Sequence, residues 1–288
     1  LKDSILISEV SAEVTSFTKV YCVTPMAAIF VVIYAKLVNH LPFHKIFYYL
    51  VSVFTAFYVL FAFTIYPNID LFHMDREVLS SLMLEHPHLK WYIAGVANWS
   101  YVLFYTLSEL WPNIFYVLLF WQFANEIATT NEAKRFYTFF SFFGNSSLIV
   151  VGFLMMYLSS EQSVIHKLFT VSDSKIILTQ VSVAMVATSS VLSCLLIRYI
   201  TTNVIDKPSS SFKIKNVRGI KPKMSMIESF KYVSRSKYLW LMLVCSASFG
   251  LSMNLIEAVW KAKIKELYPT VTEYAAYNSC LLYTSPSP

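Results

Sequence analysis

Glycine is scarce, with five in 288 residues. Loops that cradle nucleotide phosphates depend on glycine, and no G-x-x-x-x-G-K occurs, which removes the P-loop hydrolases. Charge is equally thin: 14% of residues are charged, against about 25% in soluble domains. With 56% apolar and 17% aromatic residues, a globular core of this size would lack the polar residues to cover it. A disordered chain, a coiled coil and an ordinary cytosolic enzyme are excluded. The four cysteines, Cys22, Cys194, Cys245 and Cys280, are far apart, with no C-x-x-C or metal-ligand spacing. They read as small apolar filler. His40, His44, His86 and His88 fall between the apolar stretches, and there is no nucleophile elbow. No catalytic residue, metal or cofactor is expected.

What is present is apolar sequence in long blocks. Mean hydropathy is +0.54. Six blocks reach the roughly 20 residues that cross a bilayer, at 20–36, 46–66, 92–122, 136–159, 175–200 and 238–260. Period-2 alternation is absent and each block is too long for a barrel strand, so the fold class is all-α and polytopic. The third block is overlong and contains Pro112. It is either a kinked, tilted span or one that continues beyond the membrane through Gln122–Glu126.

Charge placement orients these spans. The connection from Arg198 to Lys237 holds ten Lys or Arg and two acids, Asp206 and Glu228. Basic connections stay in the cytoplasm. The turns at 37–45 and 123–135, with Lys45, Lys134 and Arg135, are then cytoplasmic too. The 67–91 loop, with Asp70, Asp75, Glu77 and Glu85 against Arg76 and Lys90, is external, as is 160–174. The net charge of +6 follows mostly from this bias and needs no nucleic-acid partner. The same basic stretch suits anionic lipid headgroups.

The expected organisation is a helix bundle over 1–200, a basic cytoplasmic linker over 201–237, the first span of a second bundle with its following loop over 238–278, and a non-native tail over 279–288. Residues 1–19, with Lys2, Asp3, Glu9, Glu13 and Lys19, start abruptly and lack an initiator Met or signal peptide. The end, Leu281 to Pro288, breaks off the pattern and looks like translated adapter sequence. The linker carries Pro208, Gly219 and Pro222 and should be partly irregular. Ser225 to Lys237 reads as an amphipathic stretch on the membrane surface. A bundle, a basic linker and the start of another bundle is a common secondary-transporter layout.

Chemistry is sought where polar groups enter spans, because they are costly there. Glu109 lies mid-span and Glu257 near the outer end of the last span. An ionised group at the bilayer centre costs about 2.5–3.5 kcal/mol on insertion scales, so each must meet a partner or a wet cavity. Asn98, Tyr101, Tyr105, Glu109, Asn113 and Tyr116 recur at helical spacing and share a stripe. Ser246, Gly250, Asn254, Glu257 and Lys261 form another, and Thr138, Ser141, Asn145 and Gly152 a third. Asn98, Tyr105, Asn113, Asn145, Asn254 and Lys261 are the candidate cavity lining. The small polar residues serve equally well as glue between helices.

Several segments carry a family resemblance. They are Lys2-Asp3, Ser108-Glu109-Leu110-Trp111, Leu119-Phe120-Trp121-Gln122-Phe123-Ala124-Asn125, Glu132-Ala133-Lys134-Arg135-Phe136-Tyr137, and Glu257-Ala258-Val259-Trp260-Lys261 continuing to Pro269. In order and spacing, over about 1–278, the chain resembles the ATP/ADP translocases of obligate intracellular bacteria and plastids, the NTT-type nucleotide transporters. It does not resemble the mitochondrial carriers, whose three-fold repeat is absent.

The resemblance implies a major-facilitator-like bundle of twelve spans, of which this chain would hold the end of the first through the seventh. It implies an antiporter importing ATP against ADP in a multi-pass cell membrane, bacterial inner membrane rather than plastid envelope. The partners implied are ATP, ADP and the lipid bilayer, and no oligomeric state is implied. The charged residues matching those the family uses are Lys2, Glu109 and Glu257, and a further family lysine would lie in the second half. The lysines would hold phosphates, and Glu109 and Glu257 would pair with them when the site is empty. Ala258 stands where the family often has Gly, and with the tail replacing the eighth span this chain alone should not transport. Two alternatives share the motifs: a related carrier of NAD or several nucleoside triphosphates, by uniport or proton coupling, and a non-transporting membrane scaffold.

Overall fold

The computed structural model describes residues 1–127, 130–159, 171–205, 231–232 and 234–284. Among these residues every regular element is helical. Helix α1 (Lys2–Glu9) is followed by α2 (Ala12–Thr18), which passes through a π-helical turn (Lys19–Val23) into α3 (Thr24–His40). Helix α4 (Phe43–Leu60) ends in a second π turn (Phe61–Ile65), and the short α5 (Ile69–Phe72) and α6 (Arg76–Glu85) follow. Next come α7 (Lys90–Ala97), α8 (Trp99–Pro112), a long π segment (Asn113–Phe120) and α9 (Trp121–Ile127). The chain continues as α10 (Thr130–Ser159), α11 (Val171–Ile200) with a π turn at Thr201–Ile205, α12 (Lys237–Leu267) and α13 (Val271–Thr284).

Six stretches are long and apolar enough to cross a membrane: Ala12–Val38, Phe43–Phe72, Trp99–Asn125, Arg135–Ser159, Ser174–Asn203 and Lys237–Leu267. They coincide with the six apolar blocks, with three shifts. The first starts earlier because α2 is capped by Ser11, whose hydroxyl accepts from the Val14 amide at 3.3 Å. The third starts later because the chain leaves helical geometry at Asn98 (φ −106°, ψ 39°). The last runs on to Leu267, carrying its charged end inside the helix. The basic connection over 206–230, most of the 160–174 loop and residues 285–288 lie outside the described residues.

Three of the four π turns adjoin a proline: Pro25, Pro67 and Pro112. A proline ring has no N–H to donate and clashes with the carbonyl four residues back, so a neighbouring turn widens. The overlong third block is therefore a kinked span. Its α8 half packs on α4 through rings: Phe61 stacks on Phe104 with centroids 4.2 Å apart and planes at 11°, and Phe54 meets Trp111 at 5.5 Å. Tyr58 donates to the Leu107 carbonyl at 3.1 Å, tying α4 to the turn before Pro112.

Helix α1 sits in the middle, packed on α2, α8 and α13, with Ile5, Leu6 and Ile7 wholly buried. The outward faces are apolar: Val31, Phe63, Phe142, Leu192, Leu195 and Leu241 are all exposed. Apolar side chains outside and ion pairs inside suit a bilayer as solvent.

Candidate functional site

Lys2 is the first residue of α1, and its position at the middle of the bundle points its ammonium at α8. There it pairs with the Glu109 carboxylate and lies 5.5 Å from the centre of the Tyr105 ring. Tyr105 is one turn before Glu109 on the same helix face and is wholly buried.

A second, larger set adjoins this pair. Asp3 accepts from Lys261 Nζ at 2.5 Å. Lys261, a residue only 4% exposed, also meets Glu257 Oε1 at 2.6 Å across one turn of α12. Glu257 Oε2 in turn accepts from Lys19 Nζ at 2.6 Å, and Lys19 donates to Asn254 Oδ1 at 2.9 Å. The groups thus run Glu109–Lys2, then Asp3–Lys261–Glu257–Lys19–Asn254, with Lys2 and Asp3 adjacent in the chain. Helical spacing explains the α12 part: Asn254, Glu257 and Lys261 are three and four residues apart and share one face. Lys19 opens the π turn before Pro25, and its own carbonyl accepts from the Thr24 hydroxyl at 2.9 Å.

These charges lie at one depth. Glu9, at the end of α1, binds Lys175 near the start of α11 at 2.6 Å and Arg76 at the start of α6 at 3.9 Å. His73 Nε2 meets Ser100 Oγ at 2.7 Å, and the Trp99 ring N–H donates to the Phe72 carbonyl at 3.0 Å. Burial lowers the His73 pKa below its ordinary value. Ile7, Ala12 and Ile264 share a small apolar cluster. The C-termini of α1 and α12 and the N-termini of α2, α8 and α11 therefore gather at one end of the bundle, the end that charge counting puts outside. Lys2, Lys19, Glu109 and Glu257 sit seven to ten residues inside those helix ends. At ~1.5 Å per residue that is about 10–15 Å, close to the middle of a hydrocarbon core about 30 Å thick.

Of the residues singled out from the sequence, Lys2, Tyr105, Glu109, Asn254, Glu257 and Lys261 meet in this network. Asn98, Asn113 and Asn145 are not drawn into it by any of these contacts. Asn98 donates to the Ala94 carbonyl at 2.9 Å and Asn113 to the Glu109 carbonyl at 3.1 Å. Asn145 lies on an exposed face of α10. The stripe along the third span is split by the break at Asn98 and the π segment after Pro112, so Tyr101 packs in the core while Tyr116 is exposed. Sequence reasoning missed Asp3 and Lys19 as partners. Lys19 abuts an apolar block and reads as a span-end anchor; only its π turn and the approach of α12 make it a bridge. The Glu9–Lys175 pair, 166 positions apart, left no sequence signal.

The sequence model of the TLC ATP/ADP transporter family matches residues 1–285. The chain belongs to the TLC ATP/ADP transporter family. Among its relatives, the ADP,ATP carrier protein 5 of Rickettsia typhi is 62% identical over 279 residues, covering 97% of this chain and 56% of that protein. The carrier protein 5 of Rickettsia prowazekii is 61% identical with the same coverage. The ADP,ATP carrier protein 1 of Rickettsia bellii is 39% identical over 279 residues, covering 96% of this chain and 54% of that protein. This TLC-family chain spans about half the length of the curated relatives it matches. No solved structure matches it. Family and helices together make it part of a multi-pass bacterial membrane protein.

Proposed function

We propose that the full-length protein containing this chain is an antiporter that exchanges ATP for ADP across a bacterial membrane. One observation carries the reading: inside an otherwise apolar bundle, Lys2 is held by Glu109 within a charged set that no structural demand of a bilayer protein requires. Unpaired charges are expensive there, so a cation awaiting an anionic substrate needs a temporary partner, and a carboxylate supplies one. The names of the relatives, ADP,ATP carrier proteins, agree with it.

The mechanism follows from exchange of partners. An entering nucleotide replaces the Glu109 carboxylate at Lys2 with a phosphate oxygen. On departure the Lys2–Glu109 pair closes again. With the pair closed, the empty carrier reorients slowly, which favours obligatory counter-exchange over net uptake. Rocking of two helix bundles about a site at mid-depth supplies alternating access. ATP carries about one negative charge more than ADP, so the exchange responds to membrane potential, worth about 2.3 kcal/mol per charge per 100 mV.

The test is uptake of labelled ATP into proteoliposomes holding the full-length protein. Uptake is expected only when the vesicles are loaded with ADP or ATP. Equal uptake into empty vesicles refutes exchange. Uptake of NAD in preference to ATP assigns the protein to the related-carrier alternative, and no uptake of any nucleotide favours the scaffold.

A further inference from the structure

The Lys2–Glu109 pair supplies one cation, whereas ADP and ATP carry about three and four negative charges. Two further ammonium groups lie in the same network. Lys19 is held between Glu257 and Asn254 at 2.6 and 2.9 Å. Lys261 is held between Asp3 and Glu257 at 2.5 and 2.6 Å. Three lysines thus face three carboxylates, Asp3, Glu109 and Glu257, and the set is neutral while no anion is bound. A purely structural contact between α12 and the first helices would be met at lower cost by apolar packing, because desolvating ion pairs commonly offsets their attraction. A second observation points to a ligand. The Tyr105 hydroxyl is wholly buried and has no hydrogen-bond partner among the described residues, although Asp3, Glu109 and Glu257 all act on it electrostatically. It is a donor without an acceptor beside three cations.

We infer that Lys19 and Lys261 are substrate contacts, which with Lys2 and the Tyr105 hydroxyl take the phosphate oxygens of a nucleoside polyphosphate and rank nucleotides by phosphate number. The inference rests on the exchange function proposed above and extends it to residues that function did not require. Each phosphate oxygen that arrives at an ammonium displaces a carboxylate from it, so the set shifts from neutral pairs to cation–phosphate pairs without leaving a lysine unpaired. Lys19 and Lys261 also join α1 and the α2–α3 span to α12, which follows the basic connection. Filling the site therefore opens the bridges between the two parts of the chain, and emptying it closes them. Substrate occupancy and rocking become one event.

The test measures competition of ATP, ADP and AMP against labelled ADP, in membranes carrying matched amounts of the full-length protein. Lys19→Gln and Lys261→Gln are compared with the unaltered protein. Each is expected to weaken ATP by about tenfold or more, the size of one charge-assisted hydrogen bond, to weaken ADP less and to leave AMP nearly unchanged. Because either change strands the Glu257 carboxylate, the double variant Lys19→Gln with Glu257→Gln removes both charges at once. It is expected to insert normally and show the same shrinkage of the ATP-to-AMP preference. Equal weakening of all three nucleotides, or an unchanged preference, reduces both lysines to bridges and overturns the inference while the exchange function stands. Failure of the unaltered protein to bind ATP or ADP overturns both.

Discussion

At the scale of single residues, the site depends on what each charge does when its partner leaves. Glu109→Gln and Glu257→Gln remove a carboxylate that is costly to bury, so both variants should insert as well as the unaltered protein. Exchange should nonetheless fall at least tenfold, since Lys2 or the Lys19–Lys261 pair then has no carboxylate to return to. Uptake of labelled ATP against internal ADP checks this, and near-normal uptake in Glu109→Gln would assign that residue to packing. Lys2 separates two readings by its response to arginine. An interfacial lysine tolerates arginine, which keeps charge and reach. A lysine confined beside Tyr105 and Glu109 accommodates poorly a guanidinium, which is a wide planar fork. Lys2→Gln should weaken ATP and ADP binding alike, with Lys2→Arg restoring it only in part, as read by nucleotide affinity at matched protein levels.

At the scale of elements, α1 is a short helix with an outsized role. It places Lys2 and Asp3 at mid-depth, and Ile5, Leu6 and Ile7 fix it there without exposure. Leu6→Ala removes buried atoms from a tightly enclosed position and should cost about 2–5 kcal/mol. Thermal unfolding in detergent should show the loss, and added ATP should recover part of it if α1 carries the site. The π turns matter for the same reason. Each one changes the angular position of everything after it, so Lys19 faces α12 and Tyr116 leaves the stripe it shares with Glu109 in the sequence.

At the scale of the whole molecule, the gathering of Glu9, Arg76, Lys175, His73 and Ser100 at one end matches the alternation of basic and acidic connections. The basic connection from Arg198 to Lys237 then belongs to the opposite, cytoplasmic end. A cysteine placed at Ser210 in the full-length protein should resist an impermeant thiol reagent in intact cells and react once the membrane is opened. Labelling from outside would invert the orientation.

The sequence by itself determined the six spans, because apolar length and composition are local properties that a bilayer reads directly. It determined the orientation through a count of basic residues, and it marked Lys2, Glu109 and Glu257 through segments that keep their order and spacing. Tertiary structure alone decided which charge meets which. Lys19 and Glu257 are 238 positions apart and Lys261 and Asp3 are 258 apart, and no periodicity in a single helix records such a distance. The proline-linked π turns decided the rest, since a turn widened by one residue redirects a stripe that regular helical spacing would keep on one face.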